Sequence, residues 1–196
     1  MERLAILASG TGSNARRIIE YFAERPGVEV VLVASNRSAA PVLDMAREHG
    51  IPTLVLRRKA FYESESFLHL LREKQVTWVV LAGFLWLVPE YLVHAYRGHM
   101  VNIHPALLPD YGGKGMYGMH VHRAVKAAGE EASGITIHLV NDRYDEGDIL
   151  FQASCRLEPD DTPESIARKV QSLEHRHFAP VLERLMADAA AKTPPD

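Results

Sequence analysis

Short apolar runs alternate along this chain with longer stretches whose apolar residues recur every three to four positions. Leu4 to Ala8 reads as a buried strand, and Asn14 to Glu24 has the period of a helix. Val28 to Ala34 is rich in β-branched residues, which suits a strand in the middle of a sheet. Pro41 to Gly50 reads as a helix with Gly50 as its stop, followed by a short strand at Thr53 to Leu56. Phe61 to Lys74 reads as one amphipathic helix with Phe67, Leu70 and Leu71 on one face. Val76 to Ala82 is a strongly apolar strand, and Met100 to His104 is another.

Strand–helix alternation of this kind predicts an α/β fold. We expect a single Rossmann-like domain, a mainly parallel twisted sheet with helices on both faces. The pattern changes late in the chain. Ile135, Ile137 and Leu139 alternate with Thr136, His138 and Val140, as in a strand with one more polar face. A turn at Tyr144-Asp145-Glu146-Gly147-Asp148 leads into a strand from Ile149 to Cys155, so this pair should be antiparallel. The last helix should run from Pro163 to Ala187, capped by Thr162 with Glu164 and Ser165 close behind. One domain is expected over 1–188, with a small, polar and disordered tail over 189–196.

Composition narrows the picture modestly. With 196 residues, 47% hydrophobic and 24% charged, the chain can bury one good core. A net charge of −3, with Arg16-Arg17 and Arg57-Arg58-Lys59 the only tight basic clusters, predicts no nucleic-acid partner. No apolar segment reaches the ~18 residues that a membrane-spanning helix needs, and no signal peptide is evident. Cys155 is the only cysteine, which excludes an intrachain disulfide and predicts a reducing, cytoplasmic setting.

Two regions carry candidate chemistry. Ser9-Gly10-Thr11-Gly12-Ser13-Asn14-Ala15 follows the first strand and opens the first helix. Glycines let the backbone approach an anion, and the helix start offers free N–H groups, so a phosphate is the natural guest. The loop also fits the loose dinucleotide fingerprint. However, the ribose-binding acid expected about 20 residues later reads Ser35-Asn36-Arg37, which disfavours NAD and leaves an NADP-binding module as an alternative. The second region is Asn102-Ile103-His104-Pro105, at the C-terminal end of a sheet strand. Residues two apart share a face, so Asn102 and His104 can point into one cleft, an amide donor beside a proton carrier. Equally, His104 can be a polar strand end, and spacing alone does not bring Asp145 or Asp148 beside it. His120-Val121-His122 and His175-Arg176-His177 form a metal site only if the fold brings them together; no Cys cluster or His-Glu-x-x-His accompanies them, and no metal is expected.

Taken together, the stretches Ser9 to Asn14, Leu81-Ala82-Gly83-Phe84, Asn102 to Pro109, His138 to Gly147 and Gln171 to His175 resemble the folate-dependent glycinamide ribonucleotide formyltransferases, in the family's order. The resemblance implies transfer of a formyl group from 10-formyltetrahydrofolate to the amine of 5'-phosphoribosylglycinamide, by a monomer or weak homodimer and without metal. It implies that Asn102, His104 and Asp145 are catalytic, with His104 protonated with the help of Asp145. Gly12, Ser13 and Asn14 would hold the substrate phosphate, and Gln171, Ser172, Leu173 and Glu174 would contact its sugar and amine. Leu85, Trp86, Leu87 and Val88, with Asn102 and with Asn141, Asp142, Arg143, Tyr144 and Asp145, would line the folate pocket. Two arginines of better-known members are replaced by Trp86 and Ser64, and the 112–118 loop is longer than usual, with Lys114 available to replace a lost positive contact. Formyltetrahydrofolate hydrolase shares the Asn/His/Asp group but carries an added N-terminal domain. Methionyl-tRNA formyltransferase carries an added C-terminal one. A chain that starts at its first strand disfavours the first, and its length disfavours the second.

Overall fold

The computed structural model describes residues 1–192. In chain order the elements are β1 (Glu2–Leu7), α1 (Ser13–Ala23), β2 (Val28–Ser35), α2 (Pro41–Glu48), β3 (Thr53–Val55), α3 (Arg58–Glu63), α4 (Ser66–Glu73), β4 (Trp78–Leu81), α5 (Glu90–Ala95), β5 (Met100–His104), α6 (Met119–Ala128), β6 (Ala132–Leu139), β7 (Ile149–Arg156) and α7 (Pro163–Lys192). The strands form one sheet in the order β3-β2-β1-β4-β5-β6-β7. The first five are parallel, and β6 and β7 run antiparallel to their neighbours, as the change of pattern predicts.

The middles of the central strands, Leu4–Leu7 of β1 and Trp78–Leu81 of β4, are unbroken apolar runs because both faces are covered. Leu4 and Ile6 of β1, with Trp78 and Val80 of β4, face the core beneath α1, α2 and α7. Ala5 and Leu7, with Val79 and Leu81, face a second core beneath α3, α4 and α5. Burial of this kind stabilises by about 25 cal/mol per Å² of apolar surface removed from water. Chain order reverses between β1 and β4, so their carboxyl ends flank a crevice, the place where open α/β sheets bind ligands.

Several elements depart from expectation. The helix expected over 61–74 is two helices, because Ser64 adopts an extended conformation at φ −145° and its Oγ donates to the Ala60 carbonyl at 2.9 Å. That break lets Phe61 and Phe67 enter the same core from different axes. α5 and α6 are additional helices that the apolar pattern did not announce. In β6 the polar alternation does not mean a wet face. Thr136 and His138 are both buried, and Thr136 is held by Leu108 N–H, Gln152 and the Ala106 carbonyl. Thr162 and Ser165 cap α7 reciprocally. The helix runs past Ala187 to Lys192, so Ala189 to Lys192 are helical rather than a disordered tail; a run of alanines is the strongest helix former available. The rest of the expected tail, 193–196, lies outside the described residues.

Candidate active site

The glycine loop leaves β1 and enters α1 with Gly12 as the capping residue, in a left-handed conformation at φ 76°. A side chain there is excluded twice: by that conformation, and because a Cβ would lie 2.3 Å from Val42 Cγ2. Ser9 ties the loop to the turn after β4, its N–H donating to Gly83 O at 3.0 Å and its Oγ accepting from Leu85 N–H at 2.9 Å. The first-turn N–H groups of α1 lack intrahelical partners and face the crevice as an anion cradle. The last helix closes this end. Asn14 Nδ2 donates to Glu174 Oε2 at 3.1 Å, and Gln171 Nε2 reaches Ser13 Oγ at 3.4 Å. Burial pushes the Glu174 carboxyl up in pKa, against the pull of Asn14, and Asn14 Oδ1 is buried without a partner.

Across the crevice, β5 presents Asn102 and His104 on one face, and the antiparallel register sets Asn102 opposite His138. The turn after β6 returns Asp145 between the two imidazoles, with Oδ2 3.5 Å from His104 Nδ1 and Oδ1 3.6 Å from His138 Nε2. Asp145 sits at φ 58°, a left-handed conformation uncommon for a residue with a side chain. The chain beyond it approaches closely at Gly147, where any Cβ would overlap the Leu139 carbonyl. His138 Nδ1–H donates to Leu139 O at 2.8 Å, so its Nε2 accepts from Asn102 Nδ2 at 3.0 Å. Asn102 Nδ2 also donates to Asp145 Oδ1 at 3.4 Å. Both amide hydrogens are therefore engaged, and the longer bond is the one that a developing oxyanion would replace at least cost.

His104 Nε2–H donates to the Tyr111 carbonyl at 2.7 Å, which leaves Nδ1 as the nitrogen free to gain a proton. Only 3% of the residue is exposed. Burial lowers its pKa, and the opposing pull of Asp145 and the Tyr111 carbonyl does not fully compensate. Burial thus favours the neutral ring, where the resemblance implies a protonated one. Burial also pushes the Asp145 carboxyl up, but His138, the His104 charge and the Gly113 N–H (2.9 Å from Oδ2) outweigh it and hold the group below the ordinary carboxylate value. A carboxylate that stays ionised stands beside an imidazole ready to accept a proton.

The crevice between these two ends holds about 530 Å³. Of the residues predicted from sequence, Gly12, Ser13, Asn14, Leu85, Asn102, His104, Tyr144, Asp145, Gln171 and Glu174 line it. The others lie elsewhere. Gln171 and Glu174 share a helix face, whereas Ser172 points to solvent and Leu173 packs on the core. Val88 is buried, and Leu87 gives its carbonyl to Tyr62. Asn141 accepts from Arg143 N–H, Asp142 lies 3.8 Å from His94, and Arg143 pairs with Glu146. Trp86 stands behind the wall, packed against Phe61, Tyr62 and Phe84 with the Arg58 guanidinium 5.4 Å from its ring centre. Phe84, not Trp86, reaches the crevice. Trp86→Ala should therefore lower stability by about 2–3 kcal/mol, as for other large-to-small changes in packed clusters. It should change folate affinity by less than about threefold. Urea unfolding and folate titration check both, and a tenfold affinity loss without loss of stability would return Trp86 to the binding surface.

Sequence reasoning gave no role to His138 or Phe84, although both lie in stretches that carry the resemblance; it singled out the 112–118 loop without placing it, and weighed His122 only for metal. His122 is 6% exposed, lines the crevice and has a buried Nδ1 without a partner. The histidine pairs are not brought together: His120 packs on Tyr117 and His177 on Phe151. Among the described residues no group of three His, Cys, Asp or Glu side chains could hold a metal ion. No helix among them is long and apolar enough to cross a membrane.

Burial holds four histidines, His104, His122, His175 and His177, below the ordinary imidazole pKa. Their folded pKa values lie under their unfolded ones, so below the ordinary histidine value the unfolded chain binds more protons. Stability is then lost as pH falls through that range. Thermal unfolding should show a lower Tm at about pH 5.5 than at about pH 7.5, and His122→Phe should flatten the difference. An unchanged Tm across this interval would contradict it.

A doubly wound sheet with an anion cradle at one end of its crevice and a carboxylate–imidazole pair at the other places this chain among the open α/β proteins with a ligand crevice at the switch point. Comparison with known proteins is consistent: the sequence model of the formyl transferase family matches residues 2–182, and the chain belongs to that family. It is 41% identical over 187 residues to the chloroplastic phosphoribosylglycinamide formyltransferase of Arabidopsis thaliana, covering 92% of this chain and 64% of the plant protein. The chain thus spans less than two thirds of that relative's length. Among solved structures, the phosphoribosylglycinamide formyltransferase from Bacillus halodurans superposes with a TM-score of 0.85 at 36% identity, covering 96% of this chain and 97% of that one. The Anaplasma phagocytophilum protein of the same name gives a TM-score of 0.86 at 33% identity, covering 95% and 87%.

Proposed function

We propose that this chain transfers the formyl group of 10-formyltetrahydrofolate to the glycine amine of 5'-phosphoribosylglycinamide, yielding formylglycinamide ribonucleotide and tetrahydrofolate. The observation that carries this reading is the Asp145 carboxylate 3.5 Å from Nδ1 of a buried His104 whose Nε2 is already engaged by the Tyr111 carbonyl, beside the Asn102 amide. The amine nitrogen bonds to the formyl carbon, and the carbonyl electron pair moves onto oxygen. Asn102 exchanges its long bond to Asp145 for one to that oxyanion. His104 takes up the amine proton at Nδ1, where Asp145 stabilises the resulting imidazolium. As the carbon–N10 bond breaks, the proton passes to the folate nitrogen. Nothing is oxidised or reduced. Gly12, Ser13 and Asn14 hold the phosphate; Gln171 and Glu174 orient the sugar and amine; and Lys114, the one Lys or Arg among the described lining residues, gives the folate a positive contact. Positioning of this kind lowers the barrier by up to roughly 7–11 kcal/mol.

The net charge of −3 favours small-molecule over nucleic-acid partners, and the single Cys155 suits the reducing cytoplasm. Incubation with 10-formyltetrahydrofolate, with and without glycinamide ribonucleotide, tests the reading. Tetrahydrofolate should form only when the ribonucleotide is present. Equal formation in its absence would make the chain a hydrolase, and no turnover in either would overturn formyl transfer.

A further inference from the structure

The reacting pair hangs from a single turn. His104 Nε2–H donates to the carbonyl of Tyr111, and Asp145 Oδ2 accepts from the N–H of Gly113, two residues on. Between them Gly112 has no room for a side chain, since a Cβ would lie 2.6 Å from Leu108 Cδ2 and 3.3 Å from Asp145 Cβ. Tyr111 itself is held at φ 56°, a left-handed conformation that costs an aromatic residue free energy and persists only under restraint. The restraint is visible: the Tyr111 hydroxyl donates to Glu130 Oε1 at 2.6 Å, just beyond the end of α6. Glu130 does not line the crevice.

We propose that Tyr111 and Glu130 are positioning residues, a latch that fixes the 111–113 turn and thereby sets the protonation of both His104 and Asp145. The inference rests on the formyl-transfer reading for its kinetic consequences, but not for its effect on the imidazole. Released from Glu130, Tyr111 relaxes from the left-handed region, and its carbonyl and the Gly113 N–H swing away together. His104 then loses a contact that favours its charged form, and Asp145 one that favours its ionised form. The other groups facing His104 are His138 from β6 and His122 from α6, both left in place, and Asp110 lies beside Tyr111. The hydrogen bond to Glu130, aided by burial, pushes the Tyr111 phenol up to about 12, so the latch stays a neutral donor across the working range.

The test compares Tyr111→Phe, Glu130→Leu, Glu130→Gln and the double variant Tyr111→Phe/Glu130→Leu. Tyr111→Phe and Glu130→Leu should each lower kcat by about tenfold with both KM values within about twofold, the signature of lost transition-state organisation rather than lost binding. Both groups must be unprotonated at rest, so both limbs lie on the acid side of the pH–rate profile; the His104 limb should move down and the Asp145 limb up by about half a unit each. Glu130→Gln, which keeps an acceptor oxygen, should restore kcat to within about twofold, and the double variant should be no worse than either single one. Titration of the His104 ring by NMR, needing no substrate, should show the same downward shift. A wild-type His104 titration in Tyr111→Phe would overturn the latch even if the enzyme transfers formyl. A shifted titration in a chain that transfers no formyl would uphold the latch and overturn only the formyl-transfer reading.

Discussion

His104→Ala should lower kcat by about 10²–10⁴, the usual size of acid–base assistance. The ring is the only group beside Asp145 with a free nitrogen in the crevice wall next to Asn102, because His138 uses both of its nitrogens in hydrogen bonds to protein atoms. Asp145→Asn should do comparable damage. It keeps the volume but removes the charge that stabilises the imidazolium, and with its amide oxygen in the Oδ2 place facing Gly113 and His104 its NH2 is turned against the Asn102 Nδ2 donor. The double variant should be hardly worse than either single one, since groups that act as a unit are not additive. Asn102→Ala should lower kcat while folate still binds, because its donor is needed on the oxyanion rather than on the bound substrate. Steady-state kinetics with separate binding measurements decide the matter, and full activity in His104→Ala would sink the mechanism.

The other large effect is expected at Gly12. Gly12→Val must place a branched side chain at φ 76° and against Val42, whose Cα lies 3.1 Å from the new Cβ, so α2 has to move with its backbone. Ribonucleotide affinity should fall by at least about a hundredfold, equivalent to about 2.7 kcal/mol. Folate affinity should stay within about threefold, because Phe84 and Tyr144 are carried by the turns after β4 and β6, not by the turn at Gly12. Calorimetric titration of each ligand checks this, with circular dichroism to establish the fold. Equal loss for both ligands in a folded variant would mean that the loop is no dedicated phosphate site.

The parallel half of the fold was legible because buried strands are written as unbroken apolar runs; β1 and β4 are readable on sight. The pairing of Asn102 with His104 followed from the period of two along a strand. Asp145 did not follow, because its place depends on an antiparallel register and a left-handed backbone that no local pattern encodes. His138 was passed over since polar alternation normally marks a wet face, whereas here β7 and the crevice wall cover it. The break at Ser64 was hidden by apolar residues that keep helical spacing across it. Of the run from Leu85 to Val88 only Leu85 lines the crevice, because neighbours in sequence point in different directions.

The bond from Asn14 to Glu174 joins residues 160 positions apart, and Tyr21 to Glu183 spans 162. The acceptor end of the crevice is therefore closed by the two helices most distant along the chain, after every strand between them has been laid down. Loop closure over such a span carries a large entropic cost that only a finished sheet offsets. Closure of the anion cradle is therefore expected to come late in folding and to be lost early when α7 loosens.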